Sequence, residues 1–213
     1  MTAFSVILPH LRNMGNDAAL RICLDMLLAN TRSDFTLLMD AVKGGNLYAT
    51  INRLVEHAPT DCCLYLASDT FLAPNWDVPM LEAYDENTFV TGVLVEPGAI
   101  GMHHLNYHKD FGRKPETFRR DAFEAWATDN PHFPNGEGWL CPYLFSRKGF
   151  LAFGGYESGL SGDHHGFTGA DEALFERWKA AGNRVVRARS YAYHLQRFSQ
   201  LDEQQHEKRE IQS

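Results

Sequence analysis

The sequence predicts an α/β fold built as one domain, a sheet with helices packed against it. Short apolar runs alternate with longer amphipathic stretches from Phe4 to Val95, the pattern of strands joined by helices. Those runs are continuous enough in apolar character to be buried on both faces. With 213 residues, 44% hydrophobic and 12% aromatic, the chain can bury a substantial core, and its length suits one domain better than two.

The elements follow in order. Strands are expected at Phe4 to Leu8, Phe35 to Met39, Cys62 to Ala67 and Thr88 to Val95. Three helices separate them. Asp17 caps the first, in which Ala18, Ile22, Met26 and Ala29 recur at helical spacing before a stop at Asn30-Thr31. The second runs from Leu47 to His57, and the third from Trp76 to Tyr84 after Pro74, with Asn75 as its cap. Between Gly98 and Trp139 the periodicity dissolves into an insertion or lid segment, with one short helix from Glu116 to Ala127. Leu140 to Ser146 reads as a strand, followed by a short helix ending at Gly154-Gly155 and a loop rich in Gly and His. A helix from Ala170 to Ala181 stops at Gly182, and Arg184 to Ala188 and Tyr191 to His194 close the sheet. The chain thus divides into residues 1–97, 98–199 and a polar tail, 200–213. It shows no internal repeat.

Composition removes several classes. A formal charge of −7 argues against a general affinity for nucleic acid, although Arg113, Lys114, Arg119 and Arg120 form one basic stretch and Arg184, Arg187, Arg189 and Arg197 another. Cys23, Cys62, Cys63 and Cys141 match neither a disulfide framework nor a zinc spacing and read as core thiols. No run is long enough to span a membrane, and the N-terminus shows no signal peptide, so a soluble, cytoplasmic protein is expected. Walker, GxGxxG and GxSxG motifs are absent from the sequence.

Asp69 stands just after the apolar run Leu64-Tyr65-Leu66-Ala67, and ligands gather at the carboxyl ends of strands in open α/β sheets. Flanked by Ser68 and Thr70, its carboxylate suits a hard divalent cation; it would equally suit a strand-end turn. Asp40 ends the preceding strand and could face the same crevice, or simply begin the turn that Gly44-Gly45 implies. Asp171 and Glu172 open a helix after a mobile-looking loop. There they could serve as a general base or merely complement the helix dipole. The pairs His103-His104 and His164-His165 lack the HExxH spacing of a metal helix, whereas His194 ends a strand near the close of the fold.

Read in order, these segments resemble the inverting family 2 glycosyltransferases of GT-A fold, from Phe4 to about Ser199. Phe4-Ser5-Val6-Ile7-Leu8-Pro9 is similar to the family's opening strand, Ala19 to Thr31 to its first helix, and Phe35 to Asp40 to its second strand. Gly45 to Arg53 resembles the segment ahead of the metal motif, and Leu66-Ala67-Ser68-Asp69-Thr70 falls where the family has its DxD-type motif. Phe150 to Tyr156 resembles the "aFxxxGGF" segment, Gly169 to Arg177 the "GEDxDLxxR" helix, and Ala180 to Val186 the "aaGyrvv" turn. Two departures stand out: Ala67 replaces the first acid of the DxD pattern, and Ala170 the acid before the base.

The resemblance implies a GT-A type open mixed sheet, with a Rossmann-like nucleotide-binding half, flanked by helices. It implies transfer of a sugar from a nucleotide-diphosphate sugar to an acceptor hydroxyl with inversion. A divalent cation, Mn or Mg, would sit on Asp69 and His194. Asp171 is the expected base, with Glu172 as its competitor. Pro9, Arg12, Asp40, Asn52, Ser68 and Arg197 fall on the donor side, with Asp40 at the nucleotide base. Trp139 and His165 fall on the acceptor side. The acceptor is expected to be a glycan, with a modified nucleic-acid base as the minority alternative. Two rival readings are a non-catalytic binding relative of the same fold and a nucleotidyltransferase; His10 to Asn16 lacks the glycine-rich basic loop of the latter.

Overall fold

A computed structural model describes residues 4–12, 14–42, 46–98, 107–130, 141–157 and 167–195, without the side chains of Met14, Phe167, Thr168 and Glu172. The first half contains β1 (Phe4–His10), α1 (Met14–Asn30), β2 (Phe35–Ala41), α2 (Leu47–Glu56), β3 (Cys62–Tyr65), β4 (Thr70–Leu72), α3 (Asp77–Ala83) and β5 (Thr88–Glu96). The second contains β6 (Tyr107–His108), a 3₁₀ turn (Pro115–Thr117), α4 (Arg120–Asp129), β7 (Tyr143–Ser146), α5 (Arg147–Ala152), α6 (Phe167–Ala180) and β8 (Arg184–His194).

The strands form one open mixed sheet in the order β2-β1-β3-β7-β5-β8-β4, with β6 paired to the end of β5. β1 runs parallel to β2 and β3, β7 antiparallel to both β3 and β5, and β8 parallel to β5. The two reversals cancel, so β1, β2, β3, β5 and β8 point the same way and their carboxyl ends share one edge of the sheet. The amino end of β7 joins them, because Tyr143 pairs with Tyr65. That edge is where an open α/β sheet receives ligands.

Side chains on a strand alternate between faces, and the apolar runs therefore feed two cores. Phe4, Val6, Leu8, Leu64, Val90 and Leu144 pack on one face with Cys23, Met26 and Leu27 of α1 and Phe123 of α4. Ile7, Cys63, Tyr65, Phe89, Tyr143 and Phe145 take the other face, with Ile51 and Val55 of α2, Phe150 of α5 and Trp178 of α6. Burying a side chain such as Phe89 completely is worth about 1.5–3 kcal/mol over leaving it exposed.

The structure departs from the sequence expectation at several elements. β2 ends the sheet within the described residues, so it is not covered on both faces: Leu37 and Met39 are 38% and 47% exposed. α1 begins at Met14, which moves Asp17 from the cap into the first turn, where it contacts His10 Nε2 at 2.7 Å. Asn75 takes a left-handed conformation, φ 58°, and Trp76 is the residue that leads into α3. The strand expected to reach Ala67 stops at Tyr65. Thr70 N–H donates to the Ala67 carbonyl at 3.1 Å, closing a turn, after which the unexpected β4 begins.

Further along, the helix expected over Glu116 to Ala127 is a 3₁₀ turn followed by α4. The described part of the supposed lid is core material: Phe111, Phe118 and Phe123 pack around Tyr193 at ring distances of 5.7, 5.3 and 5.7 Å. α6 starts at Phe167, and the two closing strands are one, β8, whose register against β5 shifts between Thr91 and Val93. Gly182, at φ 84°, follows α6 as the sequence predicts. Among the described residues no helix is long and apolar enough to cross a membrane.

Candidate active site

Asp69 occupies the turn between β3 and β4, and β4 fixes what it faces. Thr70 pairs with His194 of β8, and Leu195 N–H donates to the Asp69 carbonyl at 3.2 Å. The two side chains consequently meet, with Asp69 Oδ2 3.6 Å from His194 Nε2 and each 26% exposed. β5 lies beside β8, so its last residue, Glu96, reaches the opposite side of the imidazole. Glu96 Oε1 is 2.8 Å from His194 Nδ1, and Glu96 is only 4% exposed. An ionised carboxylate is purely an acceptor, which assigns a proton to Nδ1.

The electrostatics follow from this packing. Burial disfavours a charged imidazole, but Asp69 and Glu96 outweigh it and lift His194 from 6.5 to about 10. Burial also opposes the Asp69 carboxylate, yet the neighbouring His194 holds it below the usual carboxylate range.

Asp40, at the end of β2, is in register with the buried Pro9 of β1. One carboxylate oxygen lies 2.6 Å from Arg53 Nη1, and the other accepts the Ala41 N–H at 2.7 Å. With the two side chains 31% and 46% exposed, this pair contributes at most about 1 kcal/mol to stability, leaving position as its main significance. Arg12 is exposed just beyond β1, and Ser68 is half-buried beside Asp69.

Asp171 lies one turn inside α6 and is half-buried, which puts it beyond the first turn where a helix dipole acts most strongly. The Tyr156 hydroxyl donates to Asp171 Oδ1, and the Tyr143 and Tyr156 hydroxyls are hydrogen-bonded to each other. Tyr48 packs at a tilt against Tyr156 with ring centres 4.7 Å apart, and Tyr65 against Tyr143 at 5.2 Å. Burial, and then the charge of Asp171, push the Tyr48 phenol up to about 12. The same two causes, in the same order, raise Tyr143 and Tyr156 well above the ordinary value. Tyr65 and Cys141 feel both Asp69 and Asp171, so the two carboxylates flank one neighbourhood at the sheet edge.

Asn52 belongs to this side of the site. Its amide donates to the Tyr156 carbonyl at 2.8 Å and accepts the Tyr156 N–H at 3.0 Å, so the group expected near the donor is engaged in fixing Tyr156. The carboxyl edge therefore brings together Pro9, Asp40, Ser68, Asp69 and His194, with Asp171 across from them. Arg197, Trp139, His165 and both His-His pairs lie outside the described residues. The four cysteines are free, and three of them are buried.

Glu96 and Tyr156 are the participants that the sequence reading passes over. Glu96 is the last residue of β5, as Asp40 stands near the end of β2 and Asp69 beyond the end of β3, and that shared position is the signal the sequence offers. Among the described residues no three His, Cys, Asp or Glu side chains form a metal-holding group. Asp69 and His194 are a two-donor set, one hard oxygen and one imidazole nitrogen, of the types that magnesium and manganese sites use.

No family model matches the chain, and no curated protein matches its sequence. Solved structures do match. S. aureus TarS 1–349 in complex with UDP superposes with a TM-score of 0.55 at 11% identity, over 90% of this chain and 60% of that one. TarS 1–349 in another crystal structure gives 0.57 at 10%, over 89% and 60%. GalNAc-T7 with UDP, GalNAc and Mn2+ gives 0.51 at 12%, over 91% and 43%. The chain thus spans less than two thirds of either neighbour. At such identities the likeness is one of fold, and the fold of this chain is the open mixed sheet, flanked by helices, of the GT-A glycosyltransferases.

Proposed function

We propose that this chain is a glycosyltransferase that moves a sugar from a nucleotide-diphosphate donor to an acceptor hydroxyl with inversion. One observation carries the reading: the carboxyl edge of a GT-A sheet gathers the Asp69–His194 pair on one side and the tyrosine-held Asp171 on the other. The presence of UDP in the TarS structure, and of UDP, GalNAc and Mn2+ in that of GalNAc-T7, supports it.

The donor lies along β1 to β3, with Asp40 toward the nucleotide base and Pro9, Arg12, Ser68 and Arg197 along its length. Asp69 and His194 would hold a divalent cation, Mn or Mg, which when bound neutralises charge on the donor diphosphate. Glu96 serves that pair by fixing the ring, a carboxylate–histidine arrangement typical of metal ligands. Asp171, with Glu172 as the neighbouring carboxylate, takes the proton of the acceptor hydroxyl. The oxygen then attacks the anomeric carbon from the face opposite the nucleotide, forming the new glycosidic bond as the bond to phosphate breaks. Trp139 and His165 belong to the acceptor side, where a glycan is the preferred acceptor class.

Nucleotide release tests the proposal. The protein is incubated with UDP-, GDP- and dTDP-sugars, Mn2+ and a mixture of glycan acceptors. Wild type should release nucleotide, Asp69→Ala should bind and release none, and Asp171→Asn should bind UDP normally while turning over about 10²- to 10⁴-fold more slowly. Nucleotide binding without turnover in wild type would identify a binding relative of the fold. Near-normal turnover in Asp171→Asn would remove the assigned base.

A further inference from the structure

The segment from Phe150 to Tyr156 resembles a pattern ending in Gly-Gly-Phe, but here its last residue is tyrosine. The ring alone would satisfy the packing. Tyr156 is 1% exposed, lies edge-on to Phe150 at 5.8 Å and packs at a tilt against Tyr48. A buried hydroxyl costs free energy unless it is bonded, and this one is bonded to the Asp171 carboxylate. A phenol has a single proton. Since that of Tyr156 goes to Asp171, Tyr143 must donate its own to the Tyr156 oxygen.

The backbone around Tyr156 is held as firmly as its hydroxyl. Asn52 of α2 brackets it from both sides of its peptide. Arg177 of α6 donates to the Gly155 carbonyl at 2.7 Å, and Gly155 takes φ +62° where a Cβ would sit 2.6 Å from Asn52 Oδ1. The oxygen that meets Asp171 is thus placed by α2, by β7 and by α6 itself.

We propose that Tyr156 is the positioning residue for the Asp171 carboxylate, keyed in turn by Tyr143, and that this two-hydroxyl relay fixes the carboxylate rotamer and favours its ionised form. The inference rests on Asp171 being the base. A hydrogen bond to the charged form stabilises that form, and the surroundings, with Tyr143 0% and Tyr156 1% exposed, make such a bond stronger than it would be in water. Among the described residues, the titratable groups that feel the Asp171 charge include Tyr48 from α2, Tyr65 from β3, Cys141 and Tyr143 from the β7 segment and Tyr156 after α5. Burial keeps all of them neutral at ordinary pH. Arg177, further along α6, is engaged with Gly155 and lies 3.7 Å from Glu157.

The test is a carbon-13 NMR titration of the full chain labelled at aspartate Cγ, with the Asp171 signal identified by its absence in Asp171→Asn. Tyr156→Phe should raise the Asp171 midpoint by about one to two pH units, and Tyr143→Phe should raise it by less in the same direction. The acid limb of the transfer rate should move up with it. Unmoved midpoints in both variants, with native-like melting, would overturn the relay. Should Tyr156→Phe fail to fold, Tyr143→Phe carries the same test alone. The two readings separate cleanly: wild-type transfer in Asp171→Asn refutes the base, whereas collapse of transfer there with unmoved midpoints in the phenylalanine variants refutes the relay.

Discussion

Glu96 acts on the site through His194. It occupies the ring nitrogen turned away from Asp69 and so leaves Nε2 as the atom presented to that carboxylate. If the pair holds a cation, Glu96→Gln should weaken Mn2+ affinity about 10- to 100-fold, as read by electron paramagnetic resonance titration in the presence of UDP. Affinity equal to wild type would make Glu96 a structural partner of β6 and β8 only. At this scale the positions of Asp69 and His194 are legible because each stands at a strand end, and that of Asp171 because a helix is expected there, although the helix begins four residues earlier, at Phe167. Glu96 was not, because the expected strand stops one residue short of it at Val95, and a lone acid after an apolar run reads as loop. Tyr156 was hidden for a different reason: tyrosine and phenylalanine are equivalent to a hydrophobic pattern, and only the position of the hydroxyl distinguishes them.

The element that holds Tyr156 against Asp171 is the turn after α5. Gly154 and Gly155 both have positive φ, 76° and 62°, but their surroundings differ. A Cβ at Gly154 would meet nothing within 4 Å, whereas one at Gly155 would press on Asn52 and on the Phe150 ring at 2.8 Å. Gly154→Ala should therefore cost only the left-handed backbone penalty of about 1–2 kcal/mol. Gly155→Ala should cost clearly more and also disturb Tyr156, with urea denaturation measuring both. Equal losses would mean that Asn52 moves aside easily and does not clamp Tyr156. Long elements such as α1 and β5 were readable from periodicity. β4 was not, since three residues carry no period, and β8 reads as two strands because Arg189 and Ser190 interrupt its apolar pattern; the register against β5 shifts there and pairing resumes at Tyr191. β2 looked like a buried strand because its composition is that of one; its place at the end of the sheet is a tertiary fact that no local pattern encodes.

For the whole molecule, the arrangement that matters is directional. Five strands point their carboxyl ends at one edge, and Asp40, Asp69, Glu96 and His194 lie there together with the amino end of β7. The order of weak motifs was enough to anticipate this fold, because the residues that set it are the few at strand ends. No family model or curated protein matches the sequence, while structures at 10% to 12% identity superpose over about nine tenths of the chain. The acceptor side was far less legible, since its expected residues, Trp139 and His165, belong to segments whose sequence carries no period. The donor side is where the account stands or falls, and calorimetric titration of UDP, GDP and dTDP, with and without Mn2+, tests it most directly. At least one nucleotide should bind wild type, Mn2+ should strengthen that binding, and the gain should vanish on chelation and in Asp69→Ala. Binding of none of the three, or binding indifferent to both Mn2+ and Asp69→Ala, would contradict a metal-assisted nucleotide-sugar transferase.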